Sequence, residues 1–147
     1  MTPTPHQYIR KVALGSAALA LAVGAIGIGA PDSNAAGFWT EVCRTTGADG
    51  GVFASSFTPG TTKVDISLNV EDTLADGHHV AVRFVSETNS GAIRNWAWHH
   101  NFGGLNHSIE IDTTAADGEG IRALGFEVGR FEGSRLINHC SAWALKY

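Results

Sequence analysis

The side chains of this sequence able to bind or react are six histidines beyond residue 70, two tryptophans two positions apart, and two sets of carboxylates in polar turns. Glu71, Asp72 and Asp76 surround one turn, and Asp112, Asp117 and Glu119 surround another. Hard cations such as calcium take roughly six to eight oxygens, which turn carboxylates and backbone carbonyls can supply. Asp72 and Asp76 are therefore the candidate metal ligands. Against this, no spacing here matches a calcium-binding loop, and Asp in a turn more often bonds its own backbone.

The histidines fall as His78-His79, His99-His100, His107 and His139. Neighbours on a strand point to opposite faces, so neither adjacent pair chelates by itself. A zinc or copper site would have to be assembled across strands, for example from His78 or His79 with His99. Trp96 and Trp98 share one side of an extended segment, with His100 and Phe102 continuing the row. Exposed, such a row stacks on sugar rings, and Trp96, Trp98 and His99 are the candidate ligand-binding residues. The opposing row, Asn95, Ala97, His99 and Asn101, is the more polar one, which favours a core position for the tryptophans. Hydrolysis has no visible apparatus: there is no Gly-x-Ser-x-Gly elbow, no His-Glu-x-x-His and no phosphate-cradling glycine loop. No catalytic residue is assigned.

These residues need elements to position them, and the elements read as strands. Val64, Ile66, Leu68 and Val70 alternate with Lys63, Asp65, Ser67, Asn69 and Glu71, and Val80, Val82 and Phe84 alternate after the Asp76-Gly77 turn. Asp-Gly between two such runs predicts a hairpin. Further strands are expected over 38–44, 51–57, 93–101, 105–112, 121–131 and 135–145. Ile121 and Ala123 differ in parity from Leu124, Phe126 and Val128, so a bulge is expected near Ala123. About eight short strands with no helical window predict an antiparallel β-sandwich, immunoglobulin-like or jelly-roll-like.

Thr-x-Ala-Asp-Gly occurs at Thr46 to Gly50, Thr73 to Gly77 and Thr114 to Gly118. The uneven spacing excludes a solenoid. Three similar hairpins are expected instead, with Cys43, Val70 and Ile111 entering and Phe53, Val80 and Ile121 leaving, all facing inward.

Residues 1–35 read as a secretory signal peptide. Arg10 and Lys11 precede an uncharged run from Val12 to Ala30, and Ser33-Asn34-Ala35 offers a small-x-small cleavage site, with cleavage after Ala36 as second choice. The mature chain, 36–147, suffices for one domain and is too short for two. Without Arg10, Lys11 and Asp32, the 10 basic and 14 acidic residues reduce to a net charge near −5. That balance argues against nucleic acid or an anionic membrane as partner. The only two cysteines, Cys43 and Cys140, are expected to pair in an oxidising compartment.

The segment Asp72-Thr73-Leu74-Ala75-Asp76-Gly77-His78, set before Val80-Ala81-Val82-Arg83, resembles the turn in a broad, uncharacterised group of small secreted one-disulfide β-rich proteins of high-GC bacteria. The resemblance brings no catalytic or binding residues. The expectation is a secreted, non-enzymatic binding module without cofactor, its partner an extracellular glycan or protein surface. The alternatives are a small secreted hydrolase or metal-dependent enzyme built from His and Asp/Glu, and a secreted inhibitor or toxin.

Overall fold

The computed structural model describes residues 37–144. The expected signal peptide, residues 1–35, and its cleavage site lie outside them. The described chain contains eight strands and no helix, and hence no helix long and apolar enough to cross a membrane. They are β1 (Gly37–Thr45), β2 (Ala48–Phe57), β3 (Thr61–Asp72), β4 (His79–Thr88), β5 (Ile93–Asn95), β6 (His99–Asn101), β7 (Ser108–Glu132) and β8 (Arg135–Ala144). All pairings are antiparallel.

The architecture depends on β7. Its first half, from Ser108 to Ala116, pairs with β3, which continues to β2 and β1. Its second half, from Ile121 to Glu132, pairs with β4 on one edge and β8 on the other. Between the halves the strand bends at Gly120, whose φ of +80° suits glycine. One continuous sheet therefore folds over β7 into an antiparallel β-sandwich. The first layer is β1-β2-β3 with the start of β7; the second is β8, the end of β7, β4 and the short β5 and β6.

Alternation along each strand fills the space between the layers. Leu68 and Val70 from one layer meet Val82, Phe84, Phe126 and Val128 from the other, all at most 2% exposed. The Trp39 and Phe126 rings meet edge to face across the layers, centroids 6.3 Å apart. Gly50 is required at the same interface: a Cβ there would lie 2.6 Å from both the Asn69 carbonyl oxygen and a Val128 methyl. The disulfide joins Cys43 of β1 to Cys140 of β8, Cα atoms 6.0 Å apart, and closes the side of the sandwich that β7 leaves open.

Cys43 is buried as expected, and so are Val70, Val80 and Ile121. Ile111 packs half-buried on the core. Phe53 is 47% exposed, because pairing of Cys43 with Gly50 puts Gly50 and Val52 on the inner face and Phe53 on the outer one. The bulge expected near Ala123 is present: Glu87 pairs with Ala123 but Thr88 with Ile121, leaving Arg122 as the extra residue.

Three similar hairpins are not formed. Only Thr46 to Gly50 lies at a hairpin, and its turn is Thr46-Gly47, with Ala48 onward already in β2. Asp76-Gly77 does turn, with Gly77 at φ +77°, but β3 and β4 belong to different layers, so the connection is a crossover. Each strand carries an alternating apolar row that faces the core whichever strand it pairs with, so alternation does not tell a hairpin from a crossover. Thr114 to Gly118 lies inside β7, merging two of the expected strands into one.

Candidate functional site

The second layer's outer face carries five adjoining aromatic rings, and a one-residue slip in the chain brings them together. Val85 pairs with Asn95 in β5, whereas Val82 pairs with His99 in β6, so one extra residue lies between the two short strands. That residue reverses the facing of everything after it. Trp96 turns inward, packing beside Phe84 with ring centroids 6.1 Å apart and donating its Nε1–H to the Ser86 hydroxyl at 3.1 Å. Trp98 turns outward, onto Phe131. The expectation that the two tryptophans share a side is therefore corrected: Trp96 packs on the core and Trp98 lies on the outer face.

On the outer face Trp98 meets Phe131 edge to face at 5.1 Å, and the Arg83 guanidinium lies 4.6 Å over the indole. Arg83 also pairs with Glu127 at 2.6 Å, and Glu127 accepts from the Ser141 hydroxyl at 3.3 Å. Beyond Phe131 lie His79, His100 and Phe102. His79 is stacked 5.6 Å from Phe131 and 4.4 Å from Phe102, and His100 lies 5.1 Å and 5.7 Å from the same two rings. Phe102 is 75% exposed. Five rings thus form a continuous strip beside a charged pair. Gly129 in β7 makes room beneath it: a Cβ would press on Leu136, Phe131 and Trp98.

The imidazoles of His79 and His100 share a hydrogen bond, Nε2 to Nδ1 at 3.0 Å. Both have pKa values below the ordinary 6.5. Burial lowers that of His79, followed by the positive charges that His100 and His78 would carry; burial and then His99 lower that of His100. As pH falls, the unfolded chain therefore takes up protons at these sites before the folded one does. Their contribution to stability is present above about pH 6.5 and is lost below it, as pH falls toward the depressed folded values. Urea midpoints should drop between about pH 7 and about pH 5, and His100→Phe should flatten that drop. An unchanged pH slope in the variant would show that other groups cause it.

His99 does not share this strip. Opposite Val82, it lines with Trp96 a cleft of about 180 Å³ bounded by Ile66, Phe84, Thr113 and Ala115. That volume is below the roughly 300 Å³ at which small-molecule pockets begin. The combination of His79 with His99 is accordingly not formed; the partner of His79 is His100.

Asp72 and Asp76 hold the crossover in place. Asp72 is 2% exposed, and its Oδ1 accepts the Leu74 backbone N–H at 3.0 Å. Asp76 Oδ1 accepts the His78 backbone N–H at 3.0 Å, and its Oδ2 pairs with Arg130 of β7. Burial pushes the Asp76 carboxyl up, but the bonds from His78 and the Arg130 charge outweigh it and hold it below 3.8. In the second acidic set, Asp117 and Glu119 pair with Arg94. Among the described residues no three His, Cys, Asp or Glu side chains converge as a metal site.

Part of the strip was foreseeable. With Leu124, Phe126 and Val128 inward, Phe131 takes the outward parity, as does Arg83 between Val82 and Phe84. The slip near Ala97 leaves no mark in the sequence. No family model, curated protein or solved structure matches the chain.

Proposed function

We propose that the protein is a secreted, non-enzymatic binding module that takes an extracellular glycan on the outer face of its second layer. The observation that supports this reading is the ring strip from Trp98 to Phe102, exposed at Phe102 and bordered by Arg83, Glu127 and Ser141. Apolar faces of sugar rings stack on aromatic side chains, and adjacent charged and hydroxyl groups bond the sugar hydroxyls. Glu127, the carboxylate beside the strip, is tied to Arg83 and serves as a fixed acceptor. The disulfide across the layers fits an oxidising, extracellular setting.

A glycan array with the purified protein should return binders, and Phe102→Ala should weaken binding at least about tenfold while the melting temperature stays unchanged, since Phe102 lies largely in solvent. A silent array, or binding untouched by Phe102→Ala, overturns the glycan reading. A pull-down returning a protein partner sensitive to Phe102→Ala would assign the same face to a protein surface.

A further inference from the structure

We propose that His79 and His100 form a two-histidine site for a divalent copper ion on the outer face of the second layer. Nε2 of His79 and Nδ1 of His100 are 3.0 Å apart. Two imidazole nitrogens bound at about 2.0 Å to one ion lie about 2.8 to 2.9 Å apart in neighbouring positions of a square plane and about 3.3 Å apart at tetrahedral corners. The observed separation is nearer the square-planar value, the arrangement copper(II) and nickel(II) prefer, and copper binds more tightly in the Irving–Williams order.

Little has to move for an ion to enter. The ring centroids are 5.0 Å apart, and aiming both lone pairs at one ion from neighbouring square-planar positions closes them to about 4.5 Å. In the metal-free pair one of the two facing nitrogens carries the hydrogen. On metal binding that hydrogen leaves the facing nitrogen and the ring's other nitrogen takes one up, so both imidazoles stay neutral and no net proton is released. Phe102 and Phe131 flank both rings, forming an apolar wall that restricts ring rotation and water access. His100 is exposed, so the ion approaches from solvent, and water fills the remaining positions.

The other histidines are placed differently. His78 is held by Asp76 and Arg130, His99 faces the cleft on the inner side, and His107 bonds Asn101. The site is independent of the glycan reading and stands or falls without it.

The test is titration of the purified protein with copper(II) chloride, followed by electron paramagnetic resonance and by paramagnetic broadening of histidine NMR signals. One equivalent should give a tetragonal spectrum with nitrogen coupling, and substoichiometric copper should broaden His79 and His100 first. His79→Phe and His100→Phe, which keep a ring in the strip, should each weaken binding at least about tenfold, while His139→Phe on the exposed part of β8 leaves it unchanged. Full affinity in either strip variant, or first broadening at any other histidine in the unmodified protein, overturns the proposal; the broadening result needs no variant to fold.

Discussion

Removing the Cys43–Cys140 bridge is expected to cost about 4 to 5 kcal/mol of folding stability, the loop-closure value for a separation of 97 residues. Small domains have about 5 to 15 kcal/mol in total, so the bridge decides whether the domain stays folded. It joins edge strands of different layers, where no backbone ladder links β1 to β8. The unfolded chain, freed of the bridge, gains the conformations that a closed loop denies it, and the folded chain loses only a clamp. Urea unfolding of Cys43→Ala/Cys140→Ala beside the oxidised protein measures the difference. A loss below about 1 kcal/mol would mean that core packing alone holds the layers together.

The second large effect is expected at Asn101, which is 1% exposed and completely engaged. Its amide nitrogen donates to the Val70 carbonyl at 3.3 Å and the His107 carbonyl at 2.7 Å, and its oxygen accepts from the Gly103 N–H at 3.0 Å and lies 2.9 Å from His107 Nδ1. One side chain thus fastens β6 to the end of β3 and to the loop before β7. Asn101→Asp preserves shape and removes both donors, setting a second oxygen against two carbonyls. Two lost bonds and a buried unpaired charge amount to about 3 kcal/mol or more. The deficit should shrink in acid, where a protonated carboxyl regains one donor. A deficit that is small, or independent of pH, would contradict the role assigned to this residue.

Local alternation carried much of this structure in the open. The inward rows of β3 and β4, the burial of Cys43 and the slip at Arg122 follow from residue type and parity, because a buried face imposes a period of two, and the pairing of Cys43 with Cys140 follows from their being the only two cysteines. Partnership was hidden, since a strand with one buried face has the same pattern whichever strand it pairs with. β3 and β4 therefore read as a hairpin although they lie in opposite layers, and β7 read as two strands because Asp117-Gly118 carries the same turn signature as Asp76-Gly77. The candidate site suffered most. A single extra residue between Asn95 and His99 decides that Trp96 enters the core while Trp98, His100 and Phe102 face out, and Ala97 has no feature to announce it. The pairing of His79 with His100 follows from that slip and from the β4–β6 register, which are properties of the assembled sheet.

The bridge has a mechanical meaning as well. Cys43 and Cys140 lie close to the two ends of the described chain, so tension applied at those ends passes through a covalent bond and bypasses the 97-residue span between them. With the bond intact, the core strands carry no load, and about 330 Å of contour length stays locked away. The ring strip on the outer face lies within the bypassed span and is shielded from a pull applied at those ends.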